Sequence, residues 1–166
     1  MKYLFLIIAL PLSLFSKTIT LNLHYCTTEE ERAWGVMNVP YLPEDDGVLF
    51  ISTTPGFPSF WMFNCLIDLS VAFIDKDKII QEIHDLKAYP MMMDPKRPIK
   101  TLEDLNLYPP EDPVRKFFAL HGKQAKHPTL YALEVPIGWF KKHNVNIGDA
   151  IIWEENSPVG HIHTKE

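Results

Sequence analysis

The sequence has few of the residues that define several common classes of protein. It has only two cysteines and seven glycines among 166 residues, and 21 acidic residues outnumber 16 basic ones. It contains no glycine-rich phosphate loop, Gly-x-Ser-x-Gly elbow, His-Glu-x-x-His helix or Cys-x-x-Cys pair. The acidic balance argues against binding nucleic acid or anionic lipid. The missing motifs leave phosphate-loop, serine-hydrolase and zinc chemistry without support, and no cofactor or metal is predicted.

The first residues have the layout of a secretory signal peptide. Lys2 precedes an apolar run of about a dozen residues that ends at Ser16, too short for a membrane-spanning helix, which needs roughly 20. Pro11 interrupts the run. We expect cleavage after Ser16 and export of the mature chain to the periplasm or the medium, with no stable membrane span after cleavage. An uncleaved anchor is the alternative.

Short segments with an alternating apolar pattern follow this run. The alternation over residues 18–25 predicts a half-buried strand. Thr28 and Glu31 form a capping box that opens a short helix ending near Val36. Further strands are predicted at 47–53, 60–63, 67–73, 79–86, 130–135 and 150–154, with a short helix at 138–143. The pattern indicates a mostly β (α+β) fold: a compact β-sandwich or partly closed barrel with two or three short helices.

Residues 88–128 have a different composition. Seven of the 14 prolines fall there, and apolar residues do not recur with a regular period. Pro113 begins a predicted helix over 112–120. We interpret 88–128 as a surface insertion in a single domain of residues 17–155, and residues 156–166 as a flexible tail.

The two cysteines, Cys26 and Cys65, leave two states open. Outside the cytoplasm a disulfide could persist, and closing a loop of about 40 residues would stabilise the fold by about 4 kcal/mol on the chain-entropy model. Two buried free thiols are the alternative.

Several stretches resemble the domain of unknown function 192 (DUF192) family. They are residues 32–37 (RAWGVM), 46–50 (DGVLF), 60–65 (FWMFNC), 67–69 (IDL), 71–75 (VAFID), 131–136 (YALEVP) with Gly138, and 148–149 (GD). The resemblance implies a jelly-roll-like β-sandwich, frequent export and no established reaction. The chain departs from the family pattern at 38–40, where a basic residue is common, and at Cys65, where threonine is usual.

The candidate binding residues cluster around the tryptophan of this resemblance. Trp61, Met62, Asn64 and Asp68, with Glu134, combine an indole, an amide and carboxylates, the groups that a polar small-molecule cleft uses. In the alternative, structural interpretation, Asn64 caps a turn and Asp68 accepts backbone amides. Asp68, Glu134 and Asp149 are also candidates for the paired carboxylates of glycoside hydrolysis.

These patterns favour an exported envelope protein that binds a ligand or protein partner without catalysis. The insertion at 88–128 is the natural surface for a specific partner. A hydrolase of envelope polysaccharide and a purely structural exported domain are the alternatives. The scattered histidines and Met91–Met93 are explained without a metal.

Overall fold

The computed structural model describes residues 17–155 and 157–165, so the predicted signal peptide lies outside the described residues. The strands are β1 (Thr18–Cys26), β2 (Asp46–Gly56), β3 (Ser59–Phe60), β4 (Leu69–Ile74), β5 (Ile80–Leu86), β6 (Lys123–Gln124), β7 (Thr129–Pro136), β8 (Ala150–Trp153) and β9 (Val159–His163). The α-helices are α1 (Glu29–Trp34), α2 (Pro113–His121) and α3 (Trp139–Lys142), and two 3₁₀ helices span Pro90–Met92 and Leu102–Leu107.

Seven strands form one curled sheet in the order β5-β4-β7-β2-β1-β9-β8. β1 runs parallel to β2, and the other neighbours are antiparallel. The sheet curls until the starts of its two edge strands meet. The amide of Ile80 donates to the Asp149 carbonyl at 2.9 Å, and that of Ile151 donates to the Lys78 carbonyl at 3.0 Å. The result is a half-barrel with few short helices, which confirms the predicted mostly β fold.

Each face of the sheet carries its own apolar core. Leu49, Ile74 and Ile151 come from strands far apart in the sheet yet share one cluster, so this face is concave. Val71, Phe73 and other residues form the second cluster, on the convex face, under α1, the 57–68 loop and the insertion. All six residues of β4 are therefore buried. The alternation over residues 67–73 predicts a strand with one buried face, and the structure corrects this, because the strand is covered on both sides.

The insertion at 88–128 supplies part of the convex core. Tyr108 and Phe118 are fully buried, and Ile99 and Ala125 are nearly so. β6 also pairs with β3 in a separate two-stranded sheet. The expectation of a merely surface insertion is thus corrected. Its buried residues come from separate short turns and therefore show no helical or strand period in the sequence.

The C-terminal segment forms a strand instead of the predicted flexible tail. β9 lies between β1 and β8 and pairs with both. Ile162 is fully buried in the concave core. His161 and His163 point away from that core, where they lie 3.2 and 3.3 Å from the hydroxyls of Thr20 and Thr18. Because the residues on the outer face of β9 are polar, the sequence of this segment resembles that of a flexible tail.

A buried carboxylate ties the end of the insertion to the sheet. Glu82 of β5 accepts the backbone amides of Lys126 at 2.6 Å and His127 at 3.1 Å, and lies 3.0 Å from His84 Nε2. Burial alone would raise the pKa of Glu82. The hydrogen bonds from His84, Lys126 and His127 outweigh it and lower the pKa to about 2.

Replacing Glu82 by Gln should destabilise the fold by up to about 3 kcal/mol at neutral pH. Because the folded-state pKa lies below the ordinary 4.5, the contribution is present above pH 4.5 and is lost as pH falls towards 2. Urea unfolding of wild type and Glu82→Gln at several pH values checks this. Glu111→Gln, at a side chain that is 86% exposed, is the control. A deficit that does not shrink between pH 4.5 and 2.5 would contradict the ionic role.

Candidate functional site

Glu134 is an acidic residue in an interior strand of the sheet. It lies on β7 opposite Val48 of β2 and Val71 of β4, and its side chain shares the convex face with them. The residue is only 3% exposed, and its Oε2 atom has no hydrogen-bond partner in the described chain. Burial raises the pKa of Glu134 to about 8. At neutral pH the group is mainly a protonated acid that can both donate and accept a hydrogen bond.

A cleft of about 300 Å³ opens above this carboxyl. Its walls come from α1 and the turn after it, from β2, and from the loop that contains β3. The lining residues are Glu29, Arg32, Ala33, Trp34, Gly35, Val36, Met37, Phe50, Pro58, Ser59, Phe60, Trp61, Cys65 and Glu134. Most of them are apolar, so the cleft combines an apolar body with few polar groups, as small-molecule sites do.

The aromatic walls of the cleft are held by ring contacts. Phe50 and Phe60 meet edge to face with centroids 4.9 Å apart, and Trp61 stacks on Phe63 at 5.0 Å. These geometries are the favourable ones for aromatic pairs. Each ring is therefore restrained by a neighbour, and the walls have a defined shape.

Gly35 lets the end of α1 approach the Phe50 ring. Its φ is +51°, in the region that favours glycine, and a Cβ there would lie 3.2 Å from the Phe50 ring. α1 itself begins with the predicted capping box, in which Thr28 accepts the Glu31 amide. The helix ends at Trp34, slightly earlier than expected, because the chain turns at this glycine.

Both cysteines lie near Glu134 and are buried free thiols in the structure. Cys65 lines the cleft, and Cys26 lines a neighbouring cavity of about 450 Å³ on the other side of Trp34 and Gly35. Burial raises the pKa of Cys26 to about 12, and the nearby Glu134 adds to this effect. The same two causes raise the pKa of Cys65. Both thiols are therefore protonated and unactivated as nucleophiles. The Cys26–Cys65 disulfide stays a prediction.

The structure separates the five candidate ligand residues of the sequence. Trp61 and Glu134 line the cleft, whereas Met62 is buried in the convex core. The predicted strand at 60–63 is wrong beyond Phe60, where β3 ends. Residues 61–63 therefore do not alternate between two faces as they would in a strand.

Asn64 has a structural position instead. Its φ is +54°, and its Nδ2 donates to Asn38 Oδ1 at 3.0 Å and to the Ile99 carbonyl at 3.4 Å. The Asn64 carbonyl in turn accepts the Asn38 amide at 3.0 Å. Asn64 thus joins its own loop to the turn after α1 and to the insertion, as a turn-forming asparagine does.

Asp68 and Asp149 are likewise occupied by backbone amides. Asp68 accepts the Ala88 amide at 2.8 Å and pairs with Lys87 at 2.7 Å. Burial opposes ionisation of Asp68, but these two contacts outweigh it and hold its pKa below the usual range. Asp149 accepts the amides of Asn146 and Lys165, both at 2.8 Å. Neither aspartate lines the cleft with Glu134, which favours structural roles for both over a hydrolytic pair.

The described residues lack two features that would point to other kinds of site. Residues 17–155 and 157–165 contain no group of three or more His, Cys, Asp or Glu side chains arranged to hold a metal ion. Within the same residues, no helix has both the length and the apolar character to cross a bilayer.

Fold and cleft together define a mostly β half-barrel with an aromatic cleft over its convex face. The model of the DUF192 family, described as "Uncharacterized ACR", matches residues 13–153. The chain therefore belongs to the DUF192 family.

Two solved structures share this fold. A protein of unknown function from Novosphingobium aromaticivorans aligns with a TM-score of 0.59 and 22% identity, over 80% of this chain and 75% of that chain. A Sinorhizobium meliloti protein, described as a candidate transcription regulator, aligns with a TM-score of 0.57 and 19% identity, over 81% of this chain and 90% of that chain. No curated protein matches the chain significantly.

The cleft gathers the stretches that carry the family resemblance. Except for Glu29, Pro58 and Ser59, every lining residue belongs to the stretches 32–37, 46–50, 60–65 or 131–136. Trp34, Met37 and Phe50 cannot be recognised as site residues from the sequence, because no local pattern shows that these stretches meet. The available signal was Glu134 itself, a lone acid in the otherwise apolar strand Leu130–Val135.

We expect Glu134→Gln to stabilise the fold above pH 5. An acid whose folded pKa is raised from 4.5 to about 8 opposes folding as pH rises through that window, by about 1.4 kcal/mol per pH unit. Glutamine keeps the shape and carries no charge. The measurement is chemical unfolding of both proteins from pH 5 to 8. Parallel pH profiles of the two proteins would show that Glu134 is not the buried titrating group.

Proposed function

We propose that this protein is a non-catalytic binding protein. Its small-molecule ligand occupies the aromatic cleft and forms a hydrogen bond with the Glu134 carboxyl. The observation that carries the proposal is the unpartnered Oε2 atom of a residue that is 3% exposed and lines the cleft. A buried carboxyl oxygen without a partner costs about 1–3 kcal/mol, and the described residues supply no hydrogen-bond partner to Oε2. A ligand with a matching polar group would offset it.

The lining supports the same proposal. Trp34, Phe50, Phe60 and Trp61 offer apolar surface for the body of a ligand, while Glu134 offers one directional polar contact. Neither cysteine is activated, and Asp68 and Asp149 bind backbone amides. These features support binding over catalysis. The insertion covers another part of the convex core, and the cleft is lined by α1 and the 58–61 loop instead.

Native mass spectrometry of residues 17–166, purified from a bacterial host, tests the binding function. We expect extra mass that survives native conditions and disappears on denaturation, with a reduced amount for Glu134→Ala. Reductant should leave it unchanged if no cysteine holds the ligand.

Tryptophan fluorescence localises the ligand. Trp34 and Trp61 line the cleft, whereas Trp139 and Trp153 pack in or against the concave core. A ligand of the cleft should therefore change the emission of wild type and of Trp139→Phe, and change it much less in the Trp34→Phe/Trp61→Phe double variant. An unchanged response in the double variant would place the ligand elsewhere.

We further propose that the protein works in the cell envelope after export. The support is the short charged and apolar N-terminal stretch that ends at Ser16.

Expression of the full chain in a Gram-negative host tests this export. The periplasmic or extracellular fraction should contain a protein whose mass begins at Lys17. Ile7→Arg, which places a charge in the apolar run, should leave an uncleaved cytoplasmic chain. A wild-type chain that stays whole in the cytoplasm would contradict export.

A further inference from the structure

We propose that the ligand of the cleft is a small organic cation, an ammonium group on an aromatic or aliphatic body, that forms an ion pair with Glu134. This inference deepens the proposed binding function and rests on it. It names the chemical class that the cleft favours over neutral and anionic molecules.

The first support is the absence of a cationic partner for Glu134 inside the described chain. Its Oε2 atom is unpartnered, and the side chain lines the cleft. Arg32 is the cation of the cleft wall, but its Nη1 donates to the backbone carbonyls of Thr27 and Ile51, at 3.0 Å for the latter. A buried charge is stable only when paired and hydrogen-bonded. Ionised Glu134 therefore needs a positive partner that the described residues do not supply, and a cationic ligand would supply it.

The second support is the aromatic lining. Trp34, Phe50, Phe60 and Trp61 surround the space next to Glu134. Faces of tryptophan and phenylalanine attract cations through their quadrupole, and they do so more strongly when water is excluded. The ring of Trp61 already contacts Phe63 and Arg115. The other three aromatic residues beside one carboxyl suit an ammonium group better than a neutral hydroxyl, which interacts more weakly with the rings. A carboxylate ligand would meet the negative ring faces and a second acid.

The third support is the charge at the mouth. Glu29 of α1 lines the cleft on its exposed side. Arg32 keeps its positive charge while it donates to carbonyls, and Glu29 offsets that charge, so the wall does not repel a cation.

Entry of a cation should expel a proton from Glu134. The pKa of the empty site is about 8, so the group is mostly protonated at pH 7, and an ammonium neighbour favours its ionised form. Raising the pH should thus tighten binding, by about ninefold from pH 6 to 7 and by about fivefold from pH 7 to 8, and binding near pH 7 should release close to one proton.

Apart from Glu29 and Arg32, the other titratable groups around this site do not line the cleft with a free ring or carboxyl. His24 and His84 lie two strands away on either side in the same row of the sheet, and they contact Asp46 and Glu82 at 2.8 and 3.0 Å. The thiol pKa values of Cys26 and Cys65 are raised by burial, so both stay neutral. The charged residues of α1 near the site are Glu29, Glu31 and Arg32, and Arg115 lies over Trp61.

Three probes with one shape test the proposal: 2-phenylethylamine, 2-phenylethanol and phenylacetate. We measure their affinities by isothermal titration at pH 6, 7 and 8, in two buffers of different ionisation enthalpy. The amine should bind at least about tenfold more tightly than the alcohol, because a charge-assisted hydrogen bond is the stronger one. Its affinity should rise with pH, with proton release. Glu134→Gln should remove the amine's preference, the pH dependence and the proton release together.

Each other outcome overturns the cation assignment. Equal binding of amine and alcohol, or strongest binding of phenylacetate, would leave the cleft as a binding site for a different class. Failure of all three probes at millimolar concentration would also overturn the assignment. The captured mass and the tryptophan response described above would then show separately whether the cleft binds any small molecule.

Discussion

The burial of both faces of β4 and β7 is the constraint on which the rest of the structure depends. A central strand that is apolar on both sides needs cover on both sides. The half-barrel covers one side with its own curl, since strands from both ends of the sheet share the concave core. The convex side has no second sheet of comparable size within the described residues. Short helices, loops and the insertion cover it instead.

Because separate segments cover the convex face, gaps remain where two of them meet, and the cleft lies at one such gap. α1 and its turn meet the 58–61 loop there, with Phe50 and Glu134 of the sheet beneath. Side-chain amides hold the segments in place. Asn38 Nδ2 donates to the Ile99 carbonyl at 2.8 Å, and Asn64 bridges the same carbonyl and Asn38. Asn64 therefore holds the covering segments together, whereas Trp61 and Glu134 line the cleft between them.

Much of the fold could be predicted from local pattern, and the site only in part. The alternation in β1, the capping box of α1 and Pro113 at the start of α2 are local signals, and the structure contains all three elements. The buried turns around Tyr108 and Phe118 and the strand at Val159–His163 depend on distant contacts, which leave no period in the sequence. Glu134 could be named because it interrupts an apolar strand. Its aromatic neighbours could not, because they reach the site only through the sheet register, the turn after α1 and the loop that contains β3.

The pairing of β1 with β9 has a consequence for the order in which the molecule forms. These strands are hydrogen-bonded neighbours in the middle of one half of the sheet, yet Thr18 and His163 come from opposite ends of the described chain. β1 can have only β2 beside it until β9 is available. A pairing of such long range is slow to form, because the ends of a long loop must first meet. Until then β1 has an open edge, which can pair with another chain. The folding domain is therefore most exposed to aggregation in the interval before β9 pairs with β1.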